Sequence, residues 1–312
     1  MAEARFLSIV IPAYNEAESL PLLVSEIEGV FPDGVGIIVI DDGSTDSTWE
    51  TVKGMAASGR VTGLRFGSNQ GKAAALSAGF AEADSRYVAT LDADLQDDPS
   101  EIPRMIEKME SNGLDLVSGW KKLRKDPLGK RIPSKLYNMV VRLTTGIRLH
   151  DFNCGLKVYR KKVTDCLGLY GEMHRYTPVL AVHRGFLVGE TPVNHRAREY
   201  GKSKYGLSRF FRGYADLLTV LFLRRYSSRP LHFFGGIGTI MSLAGFGISI
   251  YLTTLWIGGV SIGNRPLLLL GVFLMLVGFQ FISLGLLGEM LLRLSRGQKY
   301  TIKERAYREG RE

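Results

Sequence analysis

Apolar runs that break off at polar clusters recur through the first half of the chain. Ser8-Ile9-Val10-Ile11-Pro12 stops at Ala13-Tyr14-Asn15-Glu16, and Gly36-Ile37-Ile38-Val39-Ile40 stops at Asp41-Asp42-Gly43-Ser44-Thr45-Asp46. Such uninterrupted runs are the pattern of strands covered on both faces, so both predict buried parallel strands of an α/β sheet. Val61-Thr62-Gly63-Leu64-Arg65-Phe66 and Tyr87-Val88-Ala89-Thr90 supply two more strand candidates. Helical signals lie between them. Ser44 or Thr45 suits a cap, Ala73-Ala74-Ala75 opens a helix with Lys72 in its first turn, and Asp98-Pro99-Ser100-Glu101 opens another. Ser134 to Thr145 predicts a helix that faces the core through Leu136, Met139, Val140 and Leu143.

Beyond residue 229 the pattern changes. No Asp, Glu, Lys or Arg occurs from Leu231 to Asn264, nor from Pro266 to Gly288. Each stretch exceeds the ~20 residues needed to cross about 30 Å of hydrocarbon, so a transmembrane hairpin is expected over 230–257 and 266–292. Gly238 and Gly245 in the first span, and Gly271, Gly278 and Gly285 in the second, recur every seven residues. Small residues on one stripe suit close packing in lipid, against the other span or a second copy of the chain, and the pattern leaves both open. Glu289, with Arg293 four residues on, predicts an interfacial ion pair. Ahead of the spans, Phe210, Phe211, Tyr214, Leu217, Leu218, Leu221 and Phe222 alternate with Arg209, Arg212, Arg224 and Arg225, the pattern of an amphipathic helix lying in the interface. No signal peptide is expected, because strand-like residues begin by Phe6. The expected organisation is an α/β domain over 1–200, an amphipathic segment over 201–229, a hairpin over 230–294 and a basic tail over 295–312.

Charge adds an orientation. The chain of 312 residues carries 40 basic and 31 acidic side chains, a net charge of +9. Arg224, Arg225 and Arg229 precede the first span, and Arg293, Arg296, Lys299, Lys303, Arg305, Arg308 and Arg311 follow the second, while the connecting loop has only Arg265. The positive-inside rule then places both termini and the α/β domain in the cytosol of an inner-membrane, multi-pass protein. The basic excess suits membrane lipids of an anionic leaflet and polyanionic substrates. Nucleic acid is not an expected partner, since no nucleic-acid motif is present and the charge clusters beside the spans. The five histidines show no zinc spacing and Cys154 and Cys166 form no CxxC pair, so neither structural zinc nor redox chemistry is expected. Cysteines facing the cytosol are expected to stay reduced.

The candidate chemistry begins at Leu91-Asp92-Ala93-Asp94-Leu95-Gln96, directly after the fourth strand. Alternation would turn Asp92 and Asp94 to one side at the strand's C-terminal end, where α/β sheets open a crevice for ligands. Two hard oxygen ligands there are a means of holding Mg²⁺ or Mn²⁺ against a diphosphate. Asp41 and Asp42 fall at the same kind of strand end, and Lys72 is placed to approach a phosphate. Lys121, Lys122, Arg124, Lys125, Lys130 and Arg131 surround Asp126-Pro127-Leu128-Gly129, either a solvated charge run or a mobile loop that closes over phosphates.

Six segments carry a resemblance: Pro12-Ala13-Tyr14-Asn15-Glu16, Asp41 to Asp46, Asn69-Gln70-Gly71-Lys72, Asp92 to Gln96, Asp151-Phe152-Asn153-Cys154-Gly155, and Arg198 through Tyr205. In this order they resemble family 2 glycosyltransferases of the GT-A fold, in the branch of polyprenyl-phosphate glycosyltransferases that includes dolichol-phosphate mannose synthases and bacterial polyisoprenyl-phosphate glucosyltransferases. The resemblance implies a Rossmann-like, mostly parallel catalytic sheet. It implies that Asp94 and Gln96, with Asp92, hold the divalent ion, Asp92 touching ribose or a metal-bound water. Pro12, Tyr14, Glu16 and Asp42 would line the nucleotide pocket, and Arg124 and Arg131 would close over the phosphates. Asp151 matches the acceptor-side acid, as base or as orienting group. Arg175 would line the acceptor side or lie at the surface, and Arg198, Lys202, Ser203 and Lys204 would meet a diphosphate or a lipid phosphate.

The reaction so implied is metal-dependent, inverting transfer of a single sugar from a nucleotide diphosphate sugar to polyprenyl phosphate at the cytosolic membrane face. A phosphate whose second pKa is ~6 is already anionic, so a strong base is dispensable. The two-span anchor resembles that of the bacterial enzymes that supply glucose or related sugars, and this resemblance favours a UDP-sugar over GDP-mannose. A processive polysaccharide synthase is disfavoured because Trp49, Trp120 and Trp256 all lack a Gln-x-x-Arg-Trp context. A non-catalytic scaffold or lipid carrier is the contrasting reading, and the intact Asp92, Asp94 and Gln96 count against it.

Overall fold

The computed structural model describes residues 5–122, 138–139, 141–143, 145–169, 171, 173–196, 230–263 and 265–295. The chain divides into two compact units, Met1–Leu217 and Leu218–Glu312. In the first, the described strands are β1 (Arg5–Ala13), β2 (Gly36–Asp41), β3 (Thr62–Arg65), β4 (Ser85–Thr90), β5 (Leu116–Trp120), β6 (Lys157–Arg160) and β7 (Val188–Pro192). They form one sheet in the order β3-β2-β1-β4-β6-β5-β7.

The predicted runs are the centre of that sheet. β1 lies parallel to β2, with Ile11 opposite Val39, and parallel to β4, with Ser8 opposite Val88. β3 adds a parallel edge beside β2, and β6 runs antiparallel between β4 and β5. Parallel pairing brings the C-terminal ends Ala13, Asp41 and Thr90 to one edge, which is where a ligand crevice is expected.

Helices cover both faces of the sheet, as parallel strands require. Leu20, Leu23, Val24 and Ile27 of α1 (Leu20–Val30) and Met105 and Met109 of α4 (Ile102–Ser111) pack with Leu7, Ile9, Ile11 and Val39. Burying each such side chain is worth about 1.5–3 kcal/mol. Between them in sequence lie α2 (Thr48–Ala57) and the Ala-rich α3 (Lys72–Glu82). A Cβ on Gly79 of α3 would stand 2.8 Å from Ile40 Cδ1, so the helix rests directly on the strands. Helical residues also lie around 140, and α5 (Lys161–Thr164), α6 (Thr177–His183) and two short 3₁₀ turns, Pro99–Glu101 and Met173–Tyr176, follow or punctuate the strands of this unit.

One predicted face is out of phase. Around residue 140 the buried positions are Asn138, Val141 and Thr145, whereas Met139 and Leu143 are exposed. Thr145 turns its hydroxyl onto the Val141 carbonyl at 2.6 Å and Asn138 accepts from the Phe152 amide, so polar side chains take the inner face by bonding to main chain. Leu136 and Val140 lie outside the described side chains.

The second unit contains α7 (Pro230–Ile257) and α8 (Pro266–Ser295), both long and apolar enough to cross a membrane. Their glycine stripes face each other. A Cβ on Gly245 would stand 2.5 Å from the Gly271 carbonyl oxygen, and one on Gly238 would strike that of Gly278. The partner of each stripe is therefore the other helix of the hairpin.

Candidate active site

The loops after β1 and β2 are locked together at the sheet edge. Asn15, at φ 56°, donates its amide to Ser44 Oγ (2.9 Å) and accepts the Thr45 amide on Oδ1 (2.8 Å). Asn is among the few residues that tolerate this left-handed conformation. The Glu16 carboxylate accepts from Ser19 Oγ at 2.8 Å, and Pro12 and Tyr14 are half-buried beside it in sequence. Asp41 is buried, accepts the Ser44 amide at 2.9 Å and pairs with Arg65 at 3.2 Å. Asp42 accepts the amides of Gln70 (2.7 Å) and Gly71 (2.9 Å), the residues that lead into α3. Burial pushes its carboxyl pKa up, against those two amides. The predicted nucleotide-side residues are thus on one edge, with Asp42 engaged in holding the entry to α3.

Asp92 and Asp94 follow β4 but are not part of it. The strand ends at Thr90, and the two acids occupy a turn in which Leu95 takes φ 60°. Their placement comes from this turn and not from strand alternation. Asp92 forms an ion pair with Lys72 at the start of α3. The Lys72 ammonium, expected near a phosphate, is therefore anchored to the first acid of the motif. Asp94, 8% exposed, accepts the Gln96 amide at 3.3 Å. The Gln96 side chain donates to the Arg196 carbonyl at 3.5 Å, and among the described residues its amide oxygen has no hydrogen bond.

A divalent ion fits this donor set. Among the described residues no three His, Cys, Asp or Glu side chains converge. Two carboxylates and an amide oxygen suit Mg²⁺ or Mn²⁺, which complete an octahedron with water and substrate phosphate and do not need an all-protein cage.

The turn is braced from behind. Asp97 is buried, pairs with Lys121 at 3.0 Å and faces His195 at 3.7 Å, and an isolated β-bridge joins Asp97 to His195. Burial pushes the Asp97 carboxyl up, but the Lys121 ammonium and His195 outweigh it and hold it well below the usual carboxylate range. Next to it, Arg196 donates its amide to the Gln96 carbonyl and pairs with Glu26 and Asp98. Lys121 is accordingly a buried structural cation and no part of a solvated run.

Asp151 is 2% exposed and accepts the Asn153 amide at 3.0 Å. Its segment is pinned by His150, which stacks on Trp120 at 4.2 Å and pairs with Glu190. Beyond Asp151 the chain lines a cavity of about 90 Å³ with Asp92, Lys72, Thr90, Asn153, Cys154, Lys157 and Arg175 among its walls. The cavity joins Arg175 to Asp92. Gly155 makes it possible: its carbonyl accepts from Thr90 Oγ1 at 2.7 Å, and a Cβ there would stand 2.7 Å from the Asp92 carboxyl.

Lys157 was not singled out by sequence reasoning. It opens β6 opposite Thr90, is 4% exposed, and donates to the Cys154 carbonyl. Burial first, with the Lys72 charge adding to it, lowers its pKa to about 8, and burial pushes the Cys154 thiol up to about 12. Its only sequence signal is a lysine heading an otherwise apolar strand start. Arg124, Arg131, Arg198, Lys202, Ser203 and Lys204 lie outside the described residues, as do the amphipathic segment and the basic tail.

The sequence profile of glycosyl transferase family 2 matches residues 8–168, from β1 through the cavity-lining Lys157. The chain belongs to glycosyl transferase family 2. This glycosyltransferase is 42% identical over 300 residues to dodecaprenyl-phosphate galacturonate synthase of Rhizobium johnstonii, covering 92% of this chain and 88% of that one. It is 34% identical over 301 residues to undecaprenyl-phosphate 4-deoxy-4-formamido-L-arabinose transferase of Salmonella paratyphi A, covering 94% and 90%. Glucosyl-3-phosphoglycerate synthase of Mycobacterium tuberculosis, solved with Mn²⁺, UDP and phosphoglyceric acid, superposes with a TM-score of 0.57 at 19% identity over 70% of this chain and 78% of that one. That likeness establishes the GT-A fold of the catalytic unit.

Proposed function

We propose that the enzyme transfers one sugar from a nucleotide diphosphate sugar, a UDP-sugar by preference, to polyprenyl phosphate at the cytosolic face of a membrane. The observation that carries this is the pairing of two features on one chain. The Asp92–Asp94 turn terminates the central strand of a GT-A sheet, and α7 and α8 form an apolar hairpin, as an enzyme acting on a membrane-borne acceptor requires. The two relatives, named for dodecaprenyl and undecaprenyl phosphate, support the acceptor.

Asp94 and Gln96, with Asp92, would hold Mg²⁺ or Mn²⁺, whose charge neutralises the leaving diphosphate. Pro12, Tyr14, Glu16 and Asp42 form the nucleotide side. Asp151 orients the acceptor, because the polyprenyl phosphate oxygen is anionic near neutral pH without a base. Arg124, Arg131, Arg198, Lys202, Ser203 and Lys204 are assigned to the two phosphates, as guanidinium and ammonium groups suit them. A single displacement inverts the anomeric centre. The proposed organisation keeps a catalytic domain over 1–200, an interfacial segment over 201–229, the hairpin over 230–294 and a cytosolic tail over 295–312.

The test is a panel of labelled UDP- and GDP-sugars with undecaprenyl phosphate and Mg²⁺ or Mn²⁺. One donor is expected to give an organic-extractable product, lost with chelator and reduced by about 10²–10³-fold or more in Asp94→Ala, the scale of removing one preorganised electrostatic partner. Folded protein that yields no lipid product from any donor would overturn the proposal.

A further inference from the structure

Lys157 is a buried ammonium with no carboxylate partner among the described residues. Among the described residues its single hydrogen bond goes to the Cys154 carbonyl, which leaves two of its three N–H donors unspent. It lines the cavity beside Asp92, and so do Lys72 and Arg175. Lys72 is already paired with Asp92, the one carboxylate on these walls, and Lys157 forms no ion pair with it. Asn153 Oδ1, on the same cavity, is buried and has no hydrogen-bond partner among the described residues. A buried ammonium with unspent donors is costly unless a counter-charge arrives. The cavity, at about 90 Å³, has room for several waters or for the polar head of a substrate group.

We infer that Lys157, with Arg175 beside it, forms a subsite for an oxyanion carried by a substrate. Two sources share that chemistry, the carboxylate of an acidic donor sugar and the phosphate of the acceptor. This rests on the proposed transfer reaction for the identity of the substrates. The subsite makes no demand on the metal, because Lys157 is not a ligand of the Asp92–Asp94 turn. Its role is to recognise charge: a carboxylate-bearing sugar would gain a charge-assisted bond that its neutral hexose counterpart lacks.

The experiment compares full-length wild type, Lys157→Met and Lys157→Arg in detergent. Calorimetry with Mg²⁺ measures binding of the pairs UDP-glucuronate and UDP-glucose, and UDP-galacturonate and UDP-galactose. Transfer assays measure KM for undecaprenyl phosphate. If the sugar brings the oxyanion, wild type binds one acidic donor about tenfold more tightly than its neutral pair, Lys157→Met erases the preference, and Lys157→Arg retains it. If the acceptor brings it, donors show no such preference and Lys157→Met raises KM for undecaprenyl phosphate about tenfold with kcat little changed, again rescued by arginine. Lys157→Met that leaves both quantities within about twofold of wild type, or that weakens every ligand equally together with a lowered unfolding temperature, overturns the subsite. A wild type that makes no lipid product defeats the proposed reaction, while the donor-binding arm still decides on Lys157.

Discussion

Asp92 is confined by its neighbours more than by its own backbone. Lys72 holds its carboxylate from one side and the bare Cα of Gly155 closes the other. Gly155→Ala is expected to push the Asp92 carboxyl away and lower kcat/KM at least about tenfold, since small misplacements at a reacting centre are costly; a steady-state assay with the preferred donor reads it, and near-wild-type turnover would show that the carboxyl has slack. Lys157 gives a second residue-level prediction. Its pKa falls from 10.5 in an unconstrained chain to about 8 here, with Lys72, Asp92, Asp151 and Cys154 as its charged or titratable surroundings. Between those values the unfolded chain binds the extra proton, so unfolding free energy rises with pH across that window, by roughly 3 kcal/mol in total, and the penalty is present in full below pH ~8. Lys157→Met should therefore be the more stable protein at pH 7, with the gap closing toward pH 10. Unfolding midpoints of the two proteins across that range check it, and a gap independent of pH would refute it.

Among the elements, the turn after β4 depends on two strands distant from it in sequence. Lys121 follows β5, His195 follows β7, and both meet at Asp97. Asp97→Ala would strand the Lys121 ammonium in the interior, at a cost of about 3–5 kcal/mol, while the double change Asp97→Leu with Lys121→Met should recover much of it. Chemical denaturation of the three proteins tests the contrast, and equal losses in the single and double variants would argue against a buried pair. The same elements show what the chain discloses in advance. β1, β2 and β4 were legible because runs buried on both faces have no polar alternation to confuse them. The Asp92–Asp94 pair was legible because its acids stand directly after such a run, although the turn at Leu95 and not the pleat orients them. Lys121 and Lys157 were not legible as buried cations. A lysine's partner is fixed by which strands become neighbours, and β6 reaches β4 only by inserting between it and β5. The face of the helix around residue 140 was misjudged for a related reason, since Asn138 and Thr145 satisfy main-chain groups on the inner side and so displace Met139 and Leu143 outward.

At the scale of the whole molecule, the reaction and the anchor constrain each other. For the proposed transfer, nucleotide sugars made in the cytosol require the unit that carries Asp92 and Asp94 to face it, and a hairpin that crosses the membrane then puts the loop joining α7 to α8 on the other side. Charge favours the same arrangement independently, because the loop between the spans has only Arg265 whereas arginines and lysines flank both outer ends. Two exposed positions turn this into one experiment. Ser261 lies exposed in the connecting loop and can be replaced by cysteine, whereas the native Cys166 is a half-exposed thiol in the catalytic unit, outside any disulfide, and serves as its internal control. In intact cells a membrane-impermeant maleimide is expected to modify Ser261→Cys and to leave Cys166 untouched until the membrane is opened; Cys154, buried and with its thiol held toward the neutral form, should not compete. The reverse pattern would place the GT-A unit on the side that lacks its donor. It would overturn the proposed cytosolic transfer even if the isolated protein remained active, because the fault would lie in topology and not in the site.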